Sequence, residues 1–265
     1  MQRHSRGIWL AVLLASAIPA FLPLLWLPWS FLGDAGYVKW ASQAVAAALH
    51  GDILSVVRET GIDHGRLLPT FSLMLSLRWL VAGWDPVLAR AFQLMVSLSA
   101  AAGLGLAVRL ISGSGVAAWL SGAFLFWSPA YSAWSNLNGV EAYVVLGYSA
   151  PWLGVALVWG GRSKGYDRAG FLLALLGAPI AYGSKEIAST GLMVPVVAAV
   201  AAWVRRREAP GRWRAIGLIA GWHLVVALVL LAGILTIRHT GGEGYGATYV
   251  FPPDFRWAPV YWRML

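Results

Sequence analysis

Three carboxylates in this 265-residue sequence stand where an apolar run gives way to polar residues: Asp34 in "FLGDAGYVKW", Glu141 in "NGVEAY" and Glu186 in "YGSKEIAS". A carboxylate fixed at such a place can act as a general base, taking a proton from an acceptor hydroxyl. Its natural counterpart is a cation that neutralises an anionic leaving group, a role open to Lys185, Arg66 and Arg238. His64, two residues before Arg66, adds a polar group that can hold or pass a proton. Each residue also has a plainer use. Asp34 suits the N-cap of a helix starting at Ala35, and Asp52 suits a second cap. Glu141 can cap or face water, Lys185 and Glu186 can pair with each other, and Arg66 can bind lipid headgroups. The chain has no cysteine, which excludes disulfide frameworks and thiolate metal sites. "GGEGYG" (241–246) is a flexible loop and not a nucleotide cradle.

The elements that must hold these residues are set by composition. The chain is 59% hydrophobic and only 12% charged, with 16 Trp and a mean hydropathy of +0.67. That composition describes an all-α polytopic membrane protein. Apolar runs at about 8–30, 88–110, 115–131, 144–160, 169–183, 187–204 and 214–237 match or approach the ~30 Å of a bilayer interior, giving about seven spans. The first run continues past Ala15-Ser16-Ala17, so it reads as an uncleaved span and not as a signal peptide. An eighth run, Leu67–Gly83, carries Arg78 well inside it, and an arginine near mid-bilayer costs at least ~2.5 kcal/mol. The Trp residues read mostly as interfacial belts.

The distribution of charge fixes the parity. With a cytoplasmic N-terminus and Leu67–Gly83 not crossing, the inner side holds eleven Lys/Arg and two acids, while the outer side holds nine of each. The whole net charge of +9 then lies on one side, as the positive-inside rule requires. The basic excess is a topology signal with anionic lipid contact, and nucleic acid is not needed to explain it. All of the candidate residues fall on the exoplasmic face.

The organisation is then one membrane domain over 1–265: a first span at 8–30, an exoplasmic loop at 31–87, six spans within 88–237 and an exoplasmic tail at 238–265. The long first loop predicts amphipathic surface helices. "YVKWASQAVAAALHGD" sets Val38, Ala41, Val45, Ala48 and Leu49 on one helical face, with Lys39, Gln43 and His50 opposite. Leu67–Val81 is expected as a further amphipathic or re-entrant element lying along the membrane. Its Arg78 would snorkel, and its Ser72 and Ser76 would face the outer water. His223, alone within the last span, is expected to be buried against another helix.

The order and spacing of these parts resembles the GT-C glycosyltransferases. The resemblance is carried by "GDAGYVKWASQAVAAALHGD", an Asp and an aromatic followed by a helix and Gly-Asp. "HGRLLPTFSLMLSLRWLVAGWDPVLARAFQL" is similar to the family's His/Pro-containing surface helix, Gly-containing turn and Arg opening the second span. "FWSPAYSAWSNLNGVEAYVVL" resembles a third span ending at Pro with an acid in the second exoplasmic loop, and "YGSKEIASTGLMVPVV" resembles the Lys-Glu pair of several branches. The pattern covers most of 8–204. The chain departs from it at His64-Gly65-Arg66, where His-Pro-Pro is common, and in the lone Glu141.

The resemblance implies transfer of a sugar from a polyprenyl-phosphate-linked donor to an acceptor on the exoplasmic face, in a bacterial inner membrane. It implies Asp34 as base with Glu141 as the second catalytic candidate, and Lys185, Glu186, Arg66, His64 and Arg238 around the substrate. No cofactor is assigned; the acids admit a divalent metal without requiring one. The chain stops at "YWRML" without the further spans and exoplasmic domain of most members, so an N-terminal module of a longer protein is also expected. Two other classes remain open, a secondary transporter and a non-catalytic subunit of a membrane complex.

Overall fold

The computed structural model describes residues 5–25, parts of 42–52, and 67–127, 141–160, 164–185, 193–204 and 211–239. Among the described residues every regular element is helical. The helices run in the order α1 (Ser5–Leu25), α2 (Pro69–Ala82), α3 (Pro86–Ser112), α4 (Gly115–Trp127), α5 (Glu141–Gly160), α6 (Lys164–Tyr182), α7 (Met193–Val204) and α8 (Arg212–His239). Three are long and apolar enough to cross a membrane: Pro86–Ser112 in α3, Ala142–Gly160 in α5 and Arg212–Ile237 in α8. Gly7–Pro19 and Gly115–Trp127 are shorter apolar stretches.

Local chemistry explains the limits of α3. Asp85 accepts from the backbone N–H of Val87 at 2.8 Å and of Leu88 at 3.2 Å, and Pro86 opens the first turn where no N–H is needed. Gly113 closes the helix in the left-handed region, φ 72°, with its N–H on the Arg109 carbonyl at 2.8 Å. The 27 residues between rise about 40 Å, more than a bilayer interior. Gly83, at φ 52°, turns the chain between α2 and α3.

Small residues decide how the helices approach. A Cβ on Gly105 would meet the Trp9 ring and the Ala118 carbonyl, and one on Gly122 would meet Leu13 and the Ala101 carbonyl. These pairs run α4 antiparallel to α3 and parallel to α1. The closest pairing is between α5 and α6. A Cβ on Gly147 would overlap the backbone of Ala181, one on Gly154 the carbonyl of Gly170, and one on Gly177 the Pro151 ring. Gly147 and Gly154 are seven residues apart, as are Gly170 and Gly177, so one stripe of each helix is bare backbone. Such small-residue faces let helices pack in lipid, where no hydrophobic force drives them together. The outward faces are apolar instead. On α8, Leu218, Val225, Val229 and Leu235 are each more than half exposed.

The structure corrects the expected exposure of Ser72, Ser76 and Arg78 within Leu67–Val81. Helix α2 exposes Leu73, Leu77, Leu80 and Val81, and buries Ser72, Ser76 and Arg78 together with Phe71, Leu75 and Ala82. Arg78 does not snorkel. It is 0% exposed, and its Nη1 donates to Oε1 of Gln93 in α3 at 2.7 Å. An arginine alone in lipid is costly, and here the partner comes from the helix across the Gly83 turn. Of the first predicted surface helix, residues 42–50 are described in part. His50 N–H donates to the Ala46 carbonyl, Val45 is buried as expected, and Leu49 is exposed, contrary to the expected face.

Candidate functional site

Four chain segments that carry or adjoin the candidate residues meet at one end of the bundle. The backbone N–H groups of Thr70 and Phe71, at the start of α2, donate to the Gly183 carbonyl at 3.0 and 3.3 Å. The Thr70 hydroxyl donates to the Pro179 carbonyl at 2.7 Å. The start of α2, next in sequence to Arg66, is therefore tied to the end of α6, two residues before Lys185. Leu68 and Phe71 share an apolar cluster with Ala142 and Tyr143, the residues that follow Glu141, and the Phe71 and Tyr143 rings lie 6.5 Å apart. A Cβ on Gly233 would lie 2.6 Å from Leu67, which brings α8 to the same place five residues before Arg238.

The opposite end collects basic residues. Gly160, closing α5, lies near the Leu110 carbonyl beside Arg109, and Arg212 donates to the Trp159 carbonyl. The Arg214 guanidinium sits over the Trp213 ring. Arg109, Arg212 and Arg214 thus lie together at this end.

Not every expected site residue is described. Asp34, His64, Arg66 and Glu186 lie outside the described residues. Glu141 is the first residue of α5 and Arg238 lies in the last turn of α8, with neither side chain described. Lys185 is half-buried just past α6. Among the described residues, no three of His, Asp or Glu come together to hold a metal ion.

A polar cluster absent from the sequence-based expectations lies just inside this end. Arg78 of α2, Gln93 of α3 and Tyr143 of α5 are 0%, 3% and 0% exposed. Arg78 takes Oε1 of Gln93, which leaves the amide nitrogen of that side chain directed elsewhere. Gln93 Nε2 and the Tyr143 hydroxyl have no hydrogen-bond partner among the described residues. One signal for this cluster was readable: Arg90, Gln93 and Ser97 fall on one face of an otherwise apolar span, and all three are buried.

The chain matches no family model, no curated protein and no solved structure.

Proposed function

We propose that this chain belongs to a seven-span glycosyltransferase of the GT-C type. It moves a sugar from a polyprenyl-phosphate donor to an acceptor on the exoplasmic face of a bacterial plasma membrane, with its own N-terminus cytoplasmic. Asp34 is the base and Glu141 the second catalytic candidate. Lys185, Arg66 and Arg238 meet the donor phosphate, with His64 and Glu186 beside them. A polyprenyl tail holds its phosphate at headgroup depth, so groups at one end of a helix bundle are where such a donor can be used.

The observation that carries this reading is the convergence of the starts of α2 and α5 with the ends of α6 and α8, through Thr70–Gly183, Phe71–Tyr143 and Leu67–Gly233. Residues far apart in sequence are thereby drawn to one end, and the basic residues Arg109, Arg212 and Arg214 lie at the other.

The test is sugar transfer from a polyprenyl-phosphate donor in membranes. Asp34→Asn keeps the capping ability of the side chain and removes the proton acceptor. It is expected to insert normally and to lose about 10²–10⁴-fold in rate. Lys185→Ala is expected to raise the apparent KM for the donor as well as slow transfer. Near-normal transfer by Asp34→Asn would remove Asp34 from the role of base.

A further inference from the structure

We propose that α5 and α6 share a hinge at Pro151 and Pro179, and that His223 of α8 is the clasp that holds it closed. Both prolines lie inside their helices. A proline lacks the N–H that would bond the carbonyl four residues earlier. Pro151 therefore frees the carbonyl of Gly147, and Pro179 frees that of Leu175. The two breaks lie side by side. A Cβ on Gly177 would stand 2.6 Å from the Pro151 ring and 2.8 Å from the Gly147 oxygen. A straight neighbour would splint a single break, whereas two at one depth let the pair bend together.

The bonds around the break divide α6 in two. Below it, α8 holds the body of the helix. Trp222 Nε1 donates to the freed Leu175 carbonyl at 2.9 Å, and His223 Nε2 lies 3.2 Å from the Ala174 carbonyl. Neighbouring helices commonly satisfy the groups that a proline frees in a membrane bundle. Above the break, α2 holds the end, through the bonds of Thr70 and Phe71 to the Pro179 and Gly183 carbonyls. The Tyr182 hydroxyl, 2.9 Å from Nδ1 of His223, crosses from one part to the other. One imidazole thus ties the body and the end together. Gly147 against Ala181 and Gly154 against Gly170 meet through backbone, with no interlocking side chains to resist a change of angle.

The end beyond the hinge carries Lys185, three residues after Tyr182. The hinge stands on its own geometry. Only its use, bringing Lys185 to and from a donor phosphate, rests on the transfer reading.

The experiment reads distance and not transfer, so it separates the two. The chain has no cysteine, so spin labels can be attached at introduced cysteines without removing any. Labels at Leu73 of α2 and Leu172 of α6, both exposed, report the angle between the two parts. Their separation is measured by double electron–electron resonance on the full chain in phosphatidylcholine nanodiscs. The parent is expected to show a main distance and a minor second one. Tyr182→Phe should raise the ratio of second to main about 3- to 16-fold, as for one released hydrogen bond between membrane helices. Pro179→Ala returns an N–H to the Leu175 carbonyl and should remove the second distance from the parent. Added to Tyr182→Phe, it should bring the ratio back toward that of the parent. A single, unchanged distance in the parent and in Tyr182→Phe would overturn the hinge and make both prolines fixed kinks. A second distance that persists unchanged in Pro179→Ala would also overturn it, since the movement would then have another origin. Bending without sugar transfer would leave the hinge standing and remove the enzymatic reading.

Discussion

The Tyr182 hydroxyl lies 2.9 Å from Nδ1 of His223, and Nε2 of the same ring lies 3.2 Å from the Ala174 carbonyl. A carbonyl only accepts, so Nε2 carries the proton and Nδ1 accepts from the tyrosine. Both ring nitrogens are thus occupied in joining α6 to α8. The lone histidine of the last span is buried against a neighbouring helix, as its position in the sequence led us to expect.

This pair should behave as a coupled clamp. Tyr182→Phe is expected to cost about 0.6–1.7 kcal/mol, the usual range for one hydrogen bond between membrane helices. His223→Leu should cost more, since it removes both bonds and leaves the tyrosine hydroxyl unpaired. Unfolding of both single variants and the double variant in mixed micelles should give a coupling energy of about 0.5–3 kcal/mol. Strict additivity would mean that the two side chains do not act together.

The α5–α6 contact predicts a contrast between glycines. Gly154→Leu places a side chain against the Gly170 carbonyl, where nothing can give way, and is expected to destabilise the bundle by about 1–3 kcal/mol or more. Gly221→Ala in α8 meets nothing within 4 Å and should be neutral or slightly stabilising. Thermal unfolding in detergent compares them directly, and equal effects at the two positions would contradict the packing described.

Helix α2 predicts an accessibility pattern. Ser72 and Ser76 are buried, and each hydroxyl donates at 2.9 Å to the carbonyl four residues earlier. Cysteines at these two positions should resist a water-soluble thiol reagent in intact and in permeabilised membranes, reacting only after denaturation. Rapid labelling from outside would restore the expectation that Ser72 and Ser76 face the outer water.

Topology supplies an independent check. A reporter fused at Gly165, beside the basic residues Arg162 and Lys164, should read cytoplasmic, and one fused at Gly242 should read exoplasmic. Reversed readings would invert the face on which Lys185 and Glu141 stand, and with it the proposed donor side.

Much of the fold was legible because helix length and apolar content are local properties. The runs at 88–110, 144–160 and 214–237 lie within α3, α5 and α8, and Asp85, Pro86 and Gly113 mark the ends of α3 in ordinary capping chemistry. What the sequence hid was pairing across space. Arg78 looked too costly to bury because Gln93, 15 residues on, was not visible as its partner. The expectation that Ser72 and Ser76 face the outer water failed for the same reason, since both are buried in the packed helices. The glycine stripes of α5 and α6 carry no hydrophobic periodicity, so a search for apolar faces passes over them. At the site, Lys185 and the start of α5 could be assigned to one end by parity alone, whereas Tyr143 needed the packing of Phe71 to bring it into view.

The bond from α2 to the end of α6 has a consequence in time. Thr70 and the Pro179 carbonyl that receives its hydroxyl are 109 residues apart. At ordinary rates of synthesis, about 5–20 residues per second, the first turn of α2 waits roughly 5–20 s for its acceptor to be made. Until then its N–H groups must find water or lipid headgroups, so the α2–α3 hairpin leaves the ribosome unfinished at one end. A nascent chain arrested before Pro179 should accordingly label at a cysteine placed at Thr70, and one arrested well beyond Lys185 should not. Protection of that cysteine in the shorter chain would mean that another acceptor holds α2 first.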